Sequence, residues 1–208
     1  MRIGFAGSRF LPPGTASDLI APVVASLLRR GTRIATGCAV GADAAALSAC
    51  LNAGGAGALR VFAAFGVAGA GAWRGSAVAP VAAAAAAGAT VHWLAGGDLR
   101  VPLHGRLAQR SAALVRAVAC AGGGGLVAFP AAACPTGLVP AATWRSSGSG
   151  TWSSLALAAG LGLPVVVFPL DWSPDLLPPW PGSAWSTAGA GVWAGGWRFS
   201  PAVQQALF

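Results

Sequence analysis

Residues 1–170 predict an α/β domain with a Rossmann-like open parallel sheet and helices on both faces. Three observations carry that expectation. Short β-type runs alternate with longer helical stretches along the chain. The runs are predominantly apolar, as in strands covered on both sides. Short glycine-rich turns join one element to the next. Right-handed crossovers then place ligands outside the carboxyl ends of the strands.

The elements follow in order. "RIGFA" (2–6) is a strand, and a helix near 16–30 starts around Ser17 and Asp18. "TRIAT" (32–36) is the second strand, and "ADAAALSACLN" (42–52) is a helix ended by Gly54 and Gly55. "LRVFAAF" (59–65) is the third strand, with a helix over roughly 75–87 behind it. "TVHWLA" (90–95) is the fourth strand and "LHGRLAQRSAALVRAVA" (103–119) the fourth helix. "GLVAFP" (125–130) is the fifth strand, 151–159 the fifth helix, and "PVVVF" (164–168) the sixth strand.

Two segments fall outside this alternation. Residues 131–147 are a long insertion between the fifth strand and its helix, at the edge where long loops serve function. Residues 171–208 hold five tryptophans, at 172, 180, 185, 193 and 197, among prolines and glycines. Such an extension covers a sheet edge or packs on a partner subunit, because so much apolar area is rarely left bare.

At 208 residues the chain is long enough for one good-sized domain with a substantial core. With 55% apolar and 9% charged residues, long disordered tracts are not expected. Every basic residue is arginine and every acidic one aspartate, and lysine, glutamate and tyrosine are absent. Because Arg, Ala, Gly and Pro share GC-rich codons, part of the formal charge of +8 reflects genome bias. The remainder favours anionic partners such as nucleotides or nucleic acid. The arginines are scattered, with only Arg29 and Arg30 adjacent, which argues against a dedicated duplex-binding stripe.

Cys38, Cys50, Cys120 and Cys134 form no metal-binding spacing, and His92 and His104 stand apart. Neither metal nor cofactor is expected. "MRIGFAGSRF" lacks the apolar core of a signal peptide, and the alanine run at 77–91 is broken by Pro80 and Gly88. The expectation is a soluble, cytoplasmic protein with no membrane partner.

Four strand-to-helix loops carry phosphate-compatible chemistry. In "GSRFLPPG" (7–14), Gly7 permits a tight turn, while Ser8 and Arg9 offer a hydroxyl and a fixed cation. In "TGCAVGAD" (36–43), Thr36, Gly37 and Gly41 lead into a helix whose free amides can face an anion. Asp43 there either caps those amides or accepts from a ribose. On the fourth helix, Leu107, Ser111, Leu114 and Val118 make the buried stripe. Arg110 and Arg106 flank it within reach of a neighbouring loop, and Arg116 points to solvent. Asp98 and Arg100 are spaced to pair on the surface. Finally, Ser147, Gly148, Ser149, Gly150 and Thr151 supply hydroxyls and amides at the start of the fifth helix.

The ordered set "GSR", "TGCAVGADAAAL", "RLAQRSAALVRAV" and "GSGTWSSLALAAGLGLPVVVFP" resembles the SLOG superfamily over roughly residues 1–170. That group includes the DNA-processing protein A (Smf) family, the YspA-like proteins and the "lonely guy" phosphoribohydrolases. Gly41-Ala42-Asp43 stands where DNA-processing protein A has Gly-Ile-Asp, and Arg110-Ser111 where it has Arg-Asn. Gly148 to Thr151 stand at its serine-glycine loop. The resemblance implies a nucleotide or nucleic-acid phosphate held by these loops, and commonly a homodimer.

One departure bears on chemistry. Phosphoribohydrolases carry Pro-Gly-Gly-x-Gly-Thr-x-x-Glu, and here Trp152, Ser153 and Ser154 follow Thr151. Splitting an N-glycosidic bond passes through an oxocarbenium-like state that a carboxylate stabilises, and a neutral serine does not. The expectation is therefore a domain that binds a nucleotide-derived ligand without hydrolysing it, with no catalytic residue assigned. Two alternatives stay open. One is a nucleoside-monophosphate phosphoribohydrolase using Asp43 or Asp98, and the other is single-stranded DNA binding through Arg9, Arg110 and Arg145.

Overall fold

The computed structural model describes residues 1–94 and 100–201. Its strands are β1 (Arg2–Gly7), β2 (Arg33–Thr36), β3 (Leu59–Ala63), β4 (Thr90–Trp93), β5 (Gly125–Phe129), β6 (Val165–Val167), β7 (Trp185–Thr187) and β8 (Trp197–Phe199). The helices are α1 (Ala21–Arg29), α2 (Ala42–Asn52), α3 (Val78–Ala86), α4 (Leu103–Ala119) and α5 (Gly150–Gly160). One eight-stranded sheet runs in the order β4-β3-β2-β1-β5-β6-β8-β7. The first six strands are parallel, and β8 joins β6 and β7 antiparallel. This is the Rossmann-like α/β architecture the alternation predicts. From β1 the chain steps one way through β2, β3 and β4, then returns to β5 on the other side. The order thus reverses between β1 and β5, where such sheets open a crevice.

Strand alternation divides the core in two. Phe5, Ile34, Leu59 and Val61 pack with Val23, Val24 and Leu27 of α1, Ala46 and Leu47 of α2, and Val81 of α3. Ala6, Ala35, Phe62, Leu126 and Ala128 pack on the opposite side with Leu114, Val115 and Val118 of α4 and with Leu155 and Ala158 of α5. Gly4 is part of this fit, since a Cβ there would press on Leu114, Val118 and Leu126.

Three expectations change. The first helical stretch is not a single α-helix but a π-helical turn over Thr15–Ile20 followed by α1. Pro22 has no N–H to give the Asp18 carbonyl, and the chain widens just ahead of it. The tryptophan-rich segment contributes strands, which its composition did not suggest. It adds the β7–β8 hairpin to the edge left by β6, and Trp180 packs edge-on against Trp152 and Phe199. The arginines scattered along the chain are also partly gathered in space, because Arg2 and Arg33 are ladder neighbours and Arg60 lies one strand further on. Asp98 and residues 202–208 lie outside the described residues. Among the described residues no helix is long and apolar enough to cross a membrane.

Candidate functional site

A cleft of about 680 Å³ lies at the carboxyl ends of β1 and β5. The end of β1 contributes Gly7, Ser8, Arg9 and Phe10, and the end of β5 contributes Pro130 to Ala133. α4 presents His104, Leu107, Ala108, Arg110, Ser111 and Leu114, spaced as one face of a helix. The amino end of α5 and the loop before it contribute Gly148 to Ser154, and Asp43, Trp73 and Trp144 complete the lining. None of the five tail tryptophans lines it.

Asp43 and Arg110 form the polar centre of one wall. Arg110 Nη1 lies 3.1 Å from Asp43 Oδ2, and the same oxygen accepts from the Ala39 amide at 3.2 Å. Asp43 is 4% exposed and Arg110 8%. Burial raises the Asp43 carboxyl above its ordinary range, while Arg110 and the Ala39 amide pull it back down. The carboxylate is therefore neither a helix cap nor a free base, and it ties the β2–α2 loop to α4. Gly37 makes the pair possible, since a Cβ there would collide with the Arg110 guanidinium and the Asp43 carboxylate. Thr36 Oγ1 donates to the Asp43 carbonyl at 3.3 Å and holds the same turn.

The opposite wall is built from hydroxyls and amides. Ser149 caps α5, its Oγ accepting from the Trp152 amide at 3.4 Å. Gly148 has φ of 80°, a left-handed conformation in which side chains are rarely found. Across the cleft, Ser8 Oγ accepts from the Phe10 amide at 3.0 Å, which leaves its own proton for a ligand. Arg9 is exposed, and Phe10 is 81% exposed at the rim. The positions after Thr151 hold Trp152, Ser153 and Ser154, all buried, with Ser154 Oγ donating to the Gly150 carbonyl at 2.8 Å. Among the described residues, Asp43 is the one carboxylate lining the cleft.

Of the residues singled out in the sequence, Gly7, Ser8, Arg9, Asp43, Arg110, Gly148, Ser149, Gly150 and Thr151 meet in this cleft. Thr36, Gly37, Gly41, Arg106 and Ser147 do not line it. Gly41 has φ of 80° and lies so close to the Ser8 carbonyl that a Cβ would strike it. Its function is to bring the β1 and β2 loops together. Arg106 is buried, and its Nη1 donates to the carbonyls of Gly71 at 2.7 Å and Ala64 at 3.3 Å. It braces the loop after β3 instead of reaching the cleft. Ser147 Oγ bonds Ser153 Oγ at 2.9 Å and borders a smaller neighbouring cavity.

Sequence reasoning missed His104, Trp73 and Trp144, and treated Ser111 as core. His104, Leu107 and Ser111 repeat at helical spacing, so the stripe read as buried divides into a cleft-facing amino half and a core-facing carboxyl half. Trp73 and Trp144 sit in loops, where no periodicity marks them.

The insertion at 131–147, with Pro130 just before it, borders the cleft and is tied down at several points. Trp152 Nε1 donates to the Ala132 carbonyl at 2.8 Å, Trp172 Nε1 to that of Pro130 at 2.8 Å, and Trp180 Nε1 to that of Leu138 at 2.9 Å. The Ala141 amide donates to the Ala156 carbonyl at 3.1 Å.

No protein-family model and no curated protein matches the chain. Among solved structures, the X-ray structure of DNA processing protein A from Streptococcus pneumoniae matches with a TM-score of 0.56 and 18% identity, covering 84% of this chain and 52% of that one. The fold is that of the matched part of DNA processing protein A. The chain spans about half the length of that protein. At this identity the likeness to DNA processing protein A concerns the backbone architecture, and the chemistry of the cleft rests on the residues described above.

Proposed function

We propose that the cleft binds a nucleotide by its phosphate and base, and does not cut it. The observation that carries this reading is the state of Asp43: the carboxylate in the cleft is held by Arg110 and the Ala39 amide, and serine occupies the positions after Thr151. Arg9, Ser8 and the amides at the start of α5 supply donors for an oxyanion. Phe10, Trp73 and Trp144 supply flat apolar surface for a base. The cleft volume falls in the range of small-molecule sites, about 300–1,000 Å³.

Calorimetry with AMP tests binding, and chromatography of the same mixture tests for free adenine. Saturable binding without adenine release is expected, weakened about tenfold or more in Arg9→Ala through loss of a charge-assisted hydrogen bond. Sustained adenine release that disappears in Asp43→Asn, with the variant still folded, would establish the phosphoribohydrolase reading instead.

A second reading is single-stranded DNA binding. A cavity of about 440 Å³ lined by Thr136, Arg145 and Ser147 shares Pro135 and Ser146 with the cleft. Such a trough has room for a neighbouring nucleotide, and the neighbour's name, DNA processing protein A, points the same way. On this reading oligothymidylate binds more tightly than a mononucleotide, and Arg145→Ala removes the difference.

A further inference from the structure

The end of the sheet opposite the cleft carries a second concentration of positive charge. Arg2 and Arg33 lie side by side near the starts of β1 and β2. Arg60 on β3 pairs in register with Ala35, and His92 on β4 with Phe62. Strand alternation turns all four toward the α4 side, because Ile3, Ile34, Leu59, Val61 and Val91 belong to the opposite core. They form a diagonal row across four adjacent strands. At about 4.8 Å per strand spacing the row crosses roughly 14 Å of sheet width, and the stagger along the strands makes it roughly 20 Å from end to end.

Among the described residues the row has no counter-charge. Arg2 is 8% exposed, and its Nη1 donates to the Ala117 carbonyl at 2.9 Å while its Nε has no partner. Among the described residues no carboxylate pairs with Arg2, Arg33 or Arg60. The described aspartates, at 18, 43, 171 and 175, all follow the carboxyl ends of strands β1, β2 and β6. Arg29 and Arg116 have an ordinary explanation, since each lies in the last turn of a helix and complements its dipole. Arg33 and Arg60 have none. Mutual repulsion is felt within the row. Burial, then Arg60 and Arg33, lowers the Arg2 guanidinium from its usual value, and burial, then Arg60 and Arg2, does the same to His92. A nearly buried cation without a counter-charge is costly, and an anion relieves that cost.

We propose that Arg2, Arg33 and Arg60 form an anion site that takes a phosphate group at this edge. Tetrahedral phosphate oxygens accept from several guanidinium groups at once, which suits three arginines on adjacent strands facing one side, with no acid paired to them among the described residues. His92, stacked on Phe62 at a centroid distance of 4.8 Å, forms the wall beside Arg60. The site lies at the other end of the strands from the cleft and does not depend on what the cleft holds.

The test uses the full chain and the double variant Arg33→Ala/Arg60→Ala, which leaves the buried Arg2 in place. In one arm, thermal unfolding is followed in inorganic phosphate against chloride at matched ionic strength. In the other, anisotropy follows binding of an oligothymidylate of about 20 nucleotides, longer than a typical single-domain footprint, across a salt series. The expected result is that wild type gains more from phosphate than the variant does; the general salting-out effect of phosphate is common to both. Loss confined to that arm identifies a free or terminal phosphate as the ligand. Where the source is a phosphodiester backbone, the variant's slope of log affinity against log salt falls by about 1.4, at about 0.7 per lost contact. Identical behaviour of variant and wild type in both arms overturns the proposal. AMP binding in the cleft stays unchanged in the variant, so failure of the cleft reading shows separately, as absence of AMP binding in wild type.

Discussion

Position 37 has no room for a side chain, because the guanidinium of Arg110 and the carboxylate of Asp43 meet over it. Gly37→Ala is expected to destabilise the protein by about 3 kcal/mol, as overpacking and a disturbed buried pair add together. Urea denaturation measures this. Asp43→Ala leaves Arg110 buried without its counter-charge and is expected to cost about 3–5 kcal/mol. Replacing both partners, as in Asp43→Ala/Arg110→Met, should recover most of that loss, and a double as unstable as Asp43→Ala would contradict the ion-pair account. Asp43 and Arg110 were legible as cleft residues because each sits at a fixed place on a recognisable helix. Arg106 was legible only as a cation on the same helix. The Ala64 and Gly71 carbonyls that engage it are backbone groups, which leave no mark on residue type.

At the scale of elements, α5 and the loop before it behave as one piece. Every α5 residue from 152 to 159 is buried, and Gly160 lies against the Ala141 backbone so closely that a Cβ would strike it. Trp180 is the key to this arrangement from outside: it is 3% exposed, contacts Trp152, Trp185 and Phe199, and holds the Leu138 carbonyl. Trp180→Ala should cost about 3–5 kcal/mol. It should also speed amide hydrogen exchange across 131–147 relative to the rest of the chain, measured by mass spectrometry. Uniform exchange along the chain would show that the indole does not secure the loop. Long apolar strands and long helices were readable here from alternation and glycine punctuation, and α2 and α4 match their sequence bounds. The three-residue strands β7 and β8 were not, because runs as short as Trp-Ser-Thr and Trp-Arg-Phe do not stand out from the glycine- and proline-rich turns around them.

For the whole molecule, the parallel sheet acts as a sorter. Each βαβ unit returns the chain to the same edge, so residues near strand starts collect at one end and loop residues after strand ends collect at the other. The cleft could be anticipated from the sequence because its four loops share a chemistry. The row of Arg2, Arg33 and Arg60 could not, since the intervals between them are set by the lengths of helices and turns. The tail belongs to this scale as well. Ending the chain at residue 170 would uncover the β6 edge and the faces of Trp152 and Phe168 that Trp180 and Trp193 cover. Such a truncation should aggregate, as expected of a bare apolar strand edge. Light scattering of the truncated and full chains at equal concentration checks it, and a monodisperse truncated form would contradict it.

Three indole N–H groups fasten the wall of the cleft, and this has a kinetic consequence. A site held open in advance needs no gating step before capture. In stopped-flow mixing, with Trp73 and Trp144 as intrinsic fluorophores, the observed rate should climb linearly with ligand concentration and reach no plateau.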